Sequence, residues 1–153
     1  MGANMKIHDV ILTPLKIIEN DKGDIYHSIK NIDKGFKGFG EAYFSTIKQN
    51  VIKAWKKHLI MTLNLTVPVG KVKFVLFDDR KDSPSYGHVE EMILSTENYL
   101  RLTVPPNIWI GFQGINSGLN LILNIADIVH NPDEQINIEL NKIDIPYKWT
   151  NLL

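Results

Sequence analysis

Between residues 41 and 125 the chain changes direction again and again, and short runs rich in β-branched and aromatic side chains fill the gaps. Residues 42–45, 51–55 and 59–67 are the first such runs, the last alternating at Leu63, Leu65 and Val67. Val67-Pro68-Val69-Gly70 makes a tight connection to the run 71–77. A charged loop over residues 78–85 follows, then strands over 90–94 and 100–104. Pro105-Pro106-Asn107 leads into 108–112, and residues 114–118 turn into the apolar run 119–125. Turn signals every ~8–12 residues leave no room for helices of ordinary length and are the pattern of a sandwich or barrel. The spacing therefore predicts an all-β domain.

Upstream, residues 9–18 are mixed and broken by Pro14, and Asn20-Asp21-Lys22-Gly23 is a turn. Residues 34–40 hold three glycines beside Phe36 and Phe39, which predicts a mobile loop. Only residues 132–140 have the composition of a short helix. With no linker, repeat or low-complexity tract, the 153 residues are expected to form one domain over residues 1–153.

Charge and composition narrow the function. Seventeen basic and seventeen acidic residues give a net charge of zero, which argues against nucleic acid as the main partner. The chain has no cysteine, so disulfides, thiolate zinc sites and a cysteine nucleophile are excluded. No apolar run approaches the roughly 20 residues of a membrane span. Lys6, His8 and Asp9 stand where a secretion signal is apolar. A cytoplasmic protein without membrane contact is expected.

Four segments, in order, carry a family resemblance. They are residues 41–56 (EAYFSTIKQNVIKAWK), 70–80 (GKVKFVLFDDR), 94–112 (LSTENYLRLTVPPNIWIGF), and the closing stretch from Ala126-Asp127 through Pro132 and Glu134 to Trp149. Together they resemble the dTDP-4-dehydrorhamnose 3,5-epimerase family of cupin-type sugar-nucleotide epimerases. The resemblance implies a cupin-like jelly roll with a short C-terminal helix at most, a nucleotide-sugar substrate and a homodimer. It also implies epimerisation next to the ketone of a 4-keto-6-deoxyhexose nucleotide, in surface polysaccharide biosynthesis.

That chemistry needs a base for the α-proton, a cation or donor for the enolate oxygen, and an acid on the opposite face. The resemblance assigns these to a histidine backed by an aspartate, a lysine and a tyrosine, and here it meets substitutions. The histidine position falls on Lys56, the tyrosine position on or beside Leu123, and the aspartate near Asn141-Lys142, with Asp144 close by. Ile110 stands for the histidine after the double proline. Two readings are open: an enzyme with relocated groups, or a sugar-nucleotide-binding cupin without catalysis.

For the enzyme, His58 is the candidate base and Lys56 the candidate cation. Residues two apart on a strand share a face. Histidine accepts a proton near neutrality, whereas lysine at its ordinary pKa holds one. Tyr43 and Tyr26 are the nearest candidates for the acid. The alternative for His58 is a structural histidine. By the resemblance, Lys53 occupies a phosphate-contacting arginine's position, Ser45 shares the nucleotide-side strand with Tyr43, and Tyr26 lies near a base-stacking aromatic. Arg80 reaches phosphate or pairs with Asp78 or Asp79. Trp55, Trp109 and Trp149 are expected in the core or an interface. Among His8, His27, His88 and His130, only His27 is considered near the pocket. No cofactor is expected, and no metal, because His58 stands alone where metal-binding cupins bring paired histidines.

Overall fold

The structure, a computed structural model, describes residues 5–141 and 144–150. Twelve strands occur among them: β1 (Ile11–Pro14), β2 (Ile17–Ile18), β3 (Ile25–Tyr26), β4 (Glu41–Thr46), β5 (Ile52–His58), β6 (Leu63–Val69), β7 (Lys71–Phe77), β8 (Val89–Ser95), β9 (Leu100–Val104), β10 (Trp109–Gly114), β11 (Leu121–Ala126) and β12 (Gln135–Asn137). They form two five-stranded sheets, β1-β9-β6-β11-β4 and β12-β5-β10-β7-β8, and a small β2-β3 hairpin. The pairings between named strands are antiparallel. This is the all-β, cupin-like jelly roll expected. No helix of the described residues is long and apolar enough to cross a membrane.

The two sheets face each other across a core that includes Val67, Val72, Phe74, Leu76, Leu102 and Ile122, each at most 2% exposed. Burying such side chains is worth about 1.5–3 kcal/mol each, the main force closing the sandwich. A second cluster of Trp55, Val75, Trp109 and Ile145 lies outside the second sheet. The C-terminal segment covers it: Trp149 packs on Trp55, and the Lys73 ammonium lies 5.5 and 5.4 Å from the rings of Tyr147 and Trp149. The tryptophans thus serve packing, as expected, although Trp55 also reaches the cavity described below.

The structure refines two local expectations. Residues 132–140 form no full helix: Pro132–Glu134 is one 3-10 turn, capped by the Asn131 side chain, and the chain then runs extended into β12. Backbone pairing with β5 outweighs the helical composition, as tertiary context often does. Nor is the loop at residues 34–40 loose. The Asn64 side chain donates to the Gly35 carbonyl, Arg101 donates to the Lys34 carbonyl, and Gly40 donates to Ala126. This loop roofs the outer face of β6 and β9. That is why Leu63–Val67 is buried on both faces, including Asn64 and Thr66, rather than alternating.

Gly70 makes the β6–β7 turn possible. Its φ is +84°, and a Cβ there would lie 2.3 Å from the Leu119 carbonyl oxygen.

Candidate active site

Strand β5 is irregular in a way that creates the site. Its pairing with β10 steps from Ile110↔Lys56 to Phe112↔Lys53, so three residues of β5 span two of β10. Such a bulge adds one residue and resets which face the side chains take. Lys53, Lys56 and His58 consequently all line one cavity, despite the odd spacing of the first. Gly111 sits opposite the bulge, where a Cβ would lie 2.7 Å from that of Ala54 and 2.9 Å from Trp149.

Lys57, between Lys56 and His58, turns to the other side. Its ammonium binds Asp79 at 2.6 Å and lies 4.5 Å from the Trp109 ring, whose Nε1 also donates to Asp79.

The cavity lies between the sheets and has a volume of about 540 Å³. One wall comes from Tyr43 and Ser45 on β4, Leu63 and Leu65 on β6, and Ile122 and Asn124 on β11. The other comes from β5 with Phe74, Ile110 and Phe112, and is completed by Asn137, Ile138 and Glu139. Leu63, Leu65, Phe74, Ile110, Phe112 and Ile122 supply hydrocarbon, and polar side chains including Lys53, Lys56, His58 and Glu139 share the wall, a mixture that suits a small polar ligand.

His58 is 7% exposed, and its Nδ1 lies 2.5 Å from Oε1 of Glu134, itself 2% exposed. The other carboxylate oxygen accepts from the backbone N–H of Ile60 and Met61, both at 3.1 Å. Burial works to raise the pKa of Glu134. The hydrogen bonds from His58, Met61 and Ile60 outweigh it and hold the carboxyl below its ordinary value. An ionised carboxylate only accepts, so the neutral imidazole carries its hydrogen on Nδ1 and keeps its lone pair on Nε2. The 3-10 turn and a 2.7 Å bond from the Leu59 N–H to the Glu134 carbonyl fix the carboxylate's position.

Glu134 was missed by sequence reasoning. It lies 76 residues from His58, and in Asn131-Pro132-Asp133-Glu134 it reads as an exposed turn acid. The aspartate expected near Asn141-Lys142 has no counterpart in that pair, and Lys142 lies outside the described residues.

On the facing sheet, Tyr43 and Asn124 are cross-strand partners. The Asn124 amide donates to the Tyr43 hydroxyl at 3.0 Å, while its own oxygen accepts from the Asn64 N–H at 3.3 Å. Leu123, where the resemblance puts a tyrosine, is absent from the cavity wall; Ile122 and Asn124 line it instead. The nearby phenol comes from β4, one strand over. Lys53 donates to the Thr46 carbonyl at 3.2 Å and lies 5.9 Å from the Phe112 ring centre.

Two candidates are not brought to this cavity. Arg80 makes a two-pronged pair with Asp78, through Nε at 2.8 Å and Nη2 at 2.9 Å, and also binds the His8 carbonyl. Burial disfavours ionised Asp78, but the hydrogen bonds from Arg80, Ser83 and Ser85 hold its carboxyl well below the usual carboxylate range. The pair locks the β7–β8 loop. Tyr26 stacks edge-on against Tyr99 at 5.6 Å on the separate hairpin. His27 borders a smaller cleft with Lys16 and Lys30, and His8 sits beside Asp9. Among the described residues, no three His, Cys, Asp or Glu side chains converge as a metal site would require.

The chain is similar to several known proteins. The chain is 27% identical over 134 residues, 84% of its length, to the probable low-salt glycan biosynthesis epimerase Agl13 of Haloferax volcanii, of which the match covers 86%. It is 24% identical over 115 residues to the spore coat polysaccharide biosynthesis protein SpsL of Bacillus subtilis, covering 75% of this chain and 76% of that one. A dTDP sugar isomerase crystal structure from Desulfovibrio desulfuricans superposes with a TM-score of 0.92 at 32% identity, covering 96% of this chain and 94% of the other. The sequence profile of the dTDP-4-dehydrorhamnose 3,5-epimerases matches residues 4–153, and the chain belongs to that family.

Proposed function

We propose that this protein epimerises a nucleotide-linked 4-keto-6-deoxyhexose, taking a proton from the carbon beside the ketone, in the synthesis of a surface polysaccharide. The observation that carries this reading is the buried His58–Glu134 pair on the cavity wall. A carboxylate that fixes the imidazole tautomer leaves Nε2 as a proton acceptor and stabilises the imidazolium formed. Lys56, on the same face of β5, supplies positive charge to the ketone oxygen as the enolate develops. Tyr43 lies on the opposite sheet, so a sugar ring held between the sheets has base and acid on opposite faces. Its hydroxyl oxygen accepts from Asn124, which leaves the O–H to donate. Lys53 and Ser45 flank the same cavity and suit the diphosphate end of the ligand. A volume near 540 Å³ is within the usual range for a small-molecule ligand.

One observation favours a second reading, binding without turnover. Lys56 and Ile110 fill two positions where the family resemblance puts histidines. Both readings require a nucleotide-sugar ligand. Thermal unfolding with dTDP, UDP, GDP and their sugars tests this: a ligand at 100 times its Kd adds about 2.7 kcal/mol of stability. No shift with any of them refutes both readings.

A closed two-fold dimer belongs to this proposal. Phe44 on edge strand β4 is 64% exposed and Phe39 just before it 67%, large apolar side chains that a partner would cover. Light scattering is expected to give about twice the 17.5 kDa chain mass; a monomer at micromolar concentration overturns it.

A further inference from the structure

We propose that Trp149 is a positioning residue for the ligand site: by sheltering the outward side of the β5 bulge, it keeps Lys53 turned into the cavity. The inference rests on the nucleotide-sugar reading and names a residue outside the cavity on which ligand affinity depends.

A regular strand alternates its side chains, so residues 53 and 56 would take opposite faces. The bulge resolves this by sending two consecutive side chains outward. Ala54 and Trp55, which also border the cavity, both pack in the apolar cluster outside the second sheet. Such a pair needs cover, and Trp149 supplies it. Its ring lies 5.5 Å from that of Trp55, tilted by 51°. Gly111, between the paired positions Ile110↔Lys56 and Phe112↔Lys53, makes the room. A Cβ there would lie 2.7 Å from Ala54, 2.9 Å from Trp149 and 3.3 Å from Trp55, so all three side chains meet over its bare α-carbon.

The segment that carries Trp149 is anchored by other contacts. The Tyr147 hydroxyl donates to Glu91, the Gln113 amide donates to the Thr150 carbonyl at 3.0 Å, and the Lys73 ammonium lies over the rings of Tyr147 and Trp149. The Trp149 indole N–H is buried without a hydrogen-bond partner among the described residues, so packing rather than a polar bond from the indole seats the ring.

The two sides of the bulge are held differently. Lys56 and His58 pair with Asn137 and Gln135 of β12, His58 is bound to Glu134, and backbone bonds to Ile138 reach as far as Trp55. Lys53 lies beyond this support, and its orientation depends on the register against Phe112. Without Trp149 to cover Ala54 and Trp55, a slip of one residue restores the regular register there. That slip turns Lys53 outward and leaves His58 in place.

The test is a double-mutant cycle on dTDP affinity, measured by calorimetry on the full chain. Lys53→Gln is expected to weaken dTDP by about 10-fold or more, the scale of one hydrogen bond to a charged group. Trp149→Ala should weaken it by a similar factor and the double variant no further, because both changes remove the same contact. Deuterium exchange into saturating dTDP-4-keto-6-deoxyglucose, and its pH profile, should stay within about twofold of wild type in Trp149→Ala. Trp149→Phe, which gives up no hydrogen bond, should restore dTDP binding. Tyr147→Phe unties the segment from Glu91, keeps both rings and should leave binding unchanged. Additive losses in the cycle, or a fall in saturated exchange that matches the loss of affinity, overturn the positioning role and leave the nucleotide-sugar reading intact. Should Trp149→Ala fail to fold, Trp149→Leu takes its place in the cycle. If wild-type protein binds no dTDP, the ligand reading fails for that nucleotide, and a crystal structure of the Trp149 variant decides the rest. Lys53 turned outward there supports the role; Lys53 still paired with Phe112 and facing the cavity overturns it.

Discussion

In D₂O, His58→Asn is expected to abolish exchange at C3 and C5 of a 4-keto-6-deoxy nucleotide sugar that the wild-type protein labels. The loss should be about 10²–10⁴-fold, the usual contribution of a positioned base. The base must be a titrating group of the cavity wall. Leu63, Leu65, Phe74, Ile110, Phe112 and Ile122 carry no titrating group. Lys53, Lys56, Tyr43 and Glu139 line the wall beside His58, the lysines as donors and Tyr43 as a phenol on the facing sheet. His58 is the imidazole among them, its Nδ1 bound to the buried Glu134 carboxylate and its Nε2 left to accept a proton. Asparagine preserves polarity and roughly the position of Nδ1 but cannot accept the proton. His88→Asn is the control: that residue precedes β8 in the loop tied to Asp78, away from the cavity, and its substitution should leave exchange unchanged. Exchange at the wild-type rate in His58→Asn, with NMR as the readout, removes His58 from the mechanism.

Much of the architecture was legible in the sequence because strand runs and turn residues are local signals. The runs at 71–77 and 100–104 coincide with β7 and β9 to the residue. The pairing of Lys56 and His58 on one face follows from the period of two. Lys53 shares that face only through a bulge, which depends on register against β10 and on Gly111 giving room across the sheet. No single strand carries that information. Leu123 shows the same limit: at a one-residue offset the cavity-facing side chains become Ile122 and Asn124, and the phenol arrives from β4. The burial of Asn64 and Thr103 on β6 and β9 has no local signal, because the loop that covers them is fixed by hydrogen bonds far apart in the chain. Glu134 was the least visible feature, since its inward orientation is set by β12 pairing with β5.

Glu134 is expected to show two separable effects, one on the fold and one on the chemistry. Glu134→Ala removes the partner of a buried histidine and leaves the N–H groups of Ile60 and Met61 without their acceptor. Breaking a buried pair from one side costs about 3–5 kcal/mol. At about 2–4 °C per kcal/mol for a chain of this size, thermal unfolding should fall by on the order of 10 °C. Glu134→Gln keeps the shape and an oxygen for the two N–H groups, so most of that stability should survive. Its amide, however, donates to Nδ1 where the carboxylate accepted. The ring must then carry its hydrogen on Nε2, the nitrogen that has to be empty to take a proton. A comparable tautomer trap in serine proteases costs about 10⁴-fold, so Glu134→Gln should fold, bind dTDP and scarcely exchange deuterium. The pH dependence has a definite sign. The Glu134 carboxyl lies below its ordinary value of 4.5, so its contribution is fully present above that pH and is lost as pH falls through the folded value. The stability gap between wild type and Glu134→Gln should therefore be constant near neutrality and close below about pH 4.5. A gap that persists unchanged to pH 3, together with wild-type exchange in Glu134→Gln, would mean that the carboxylate neither stabilises the fold through its charge nor sets the tautomer of His58.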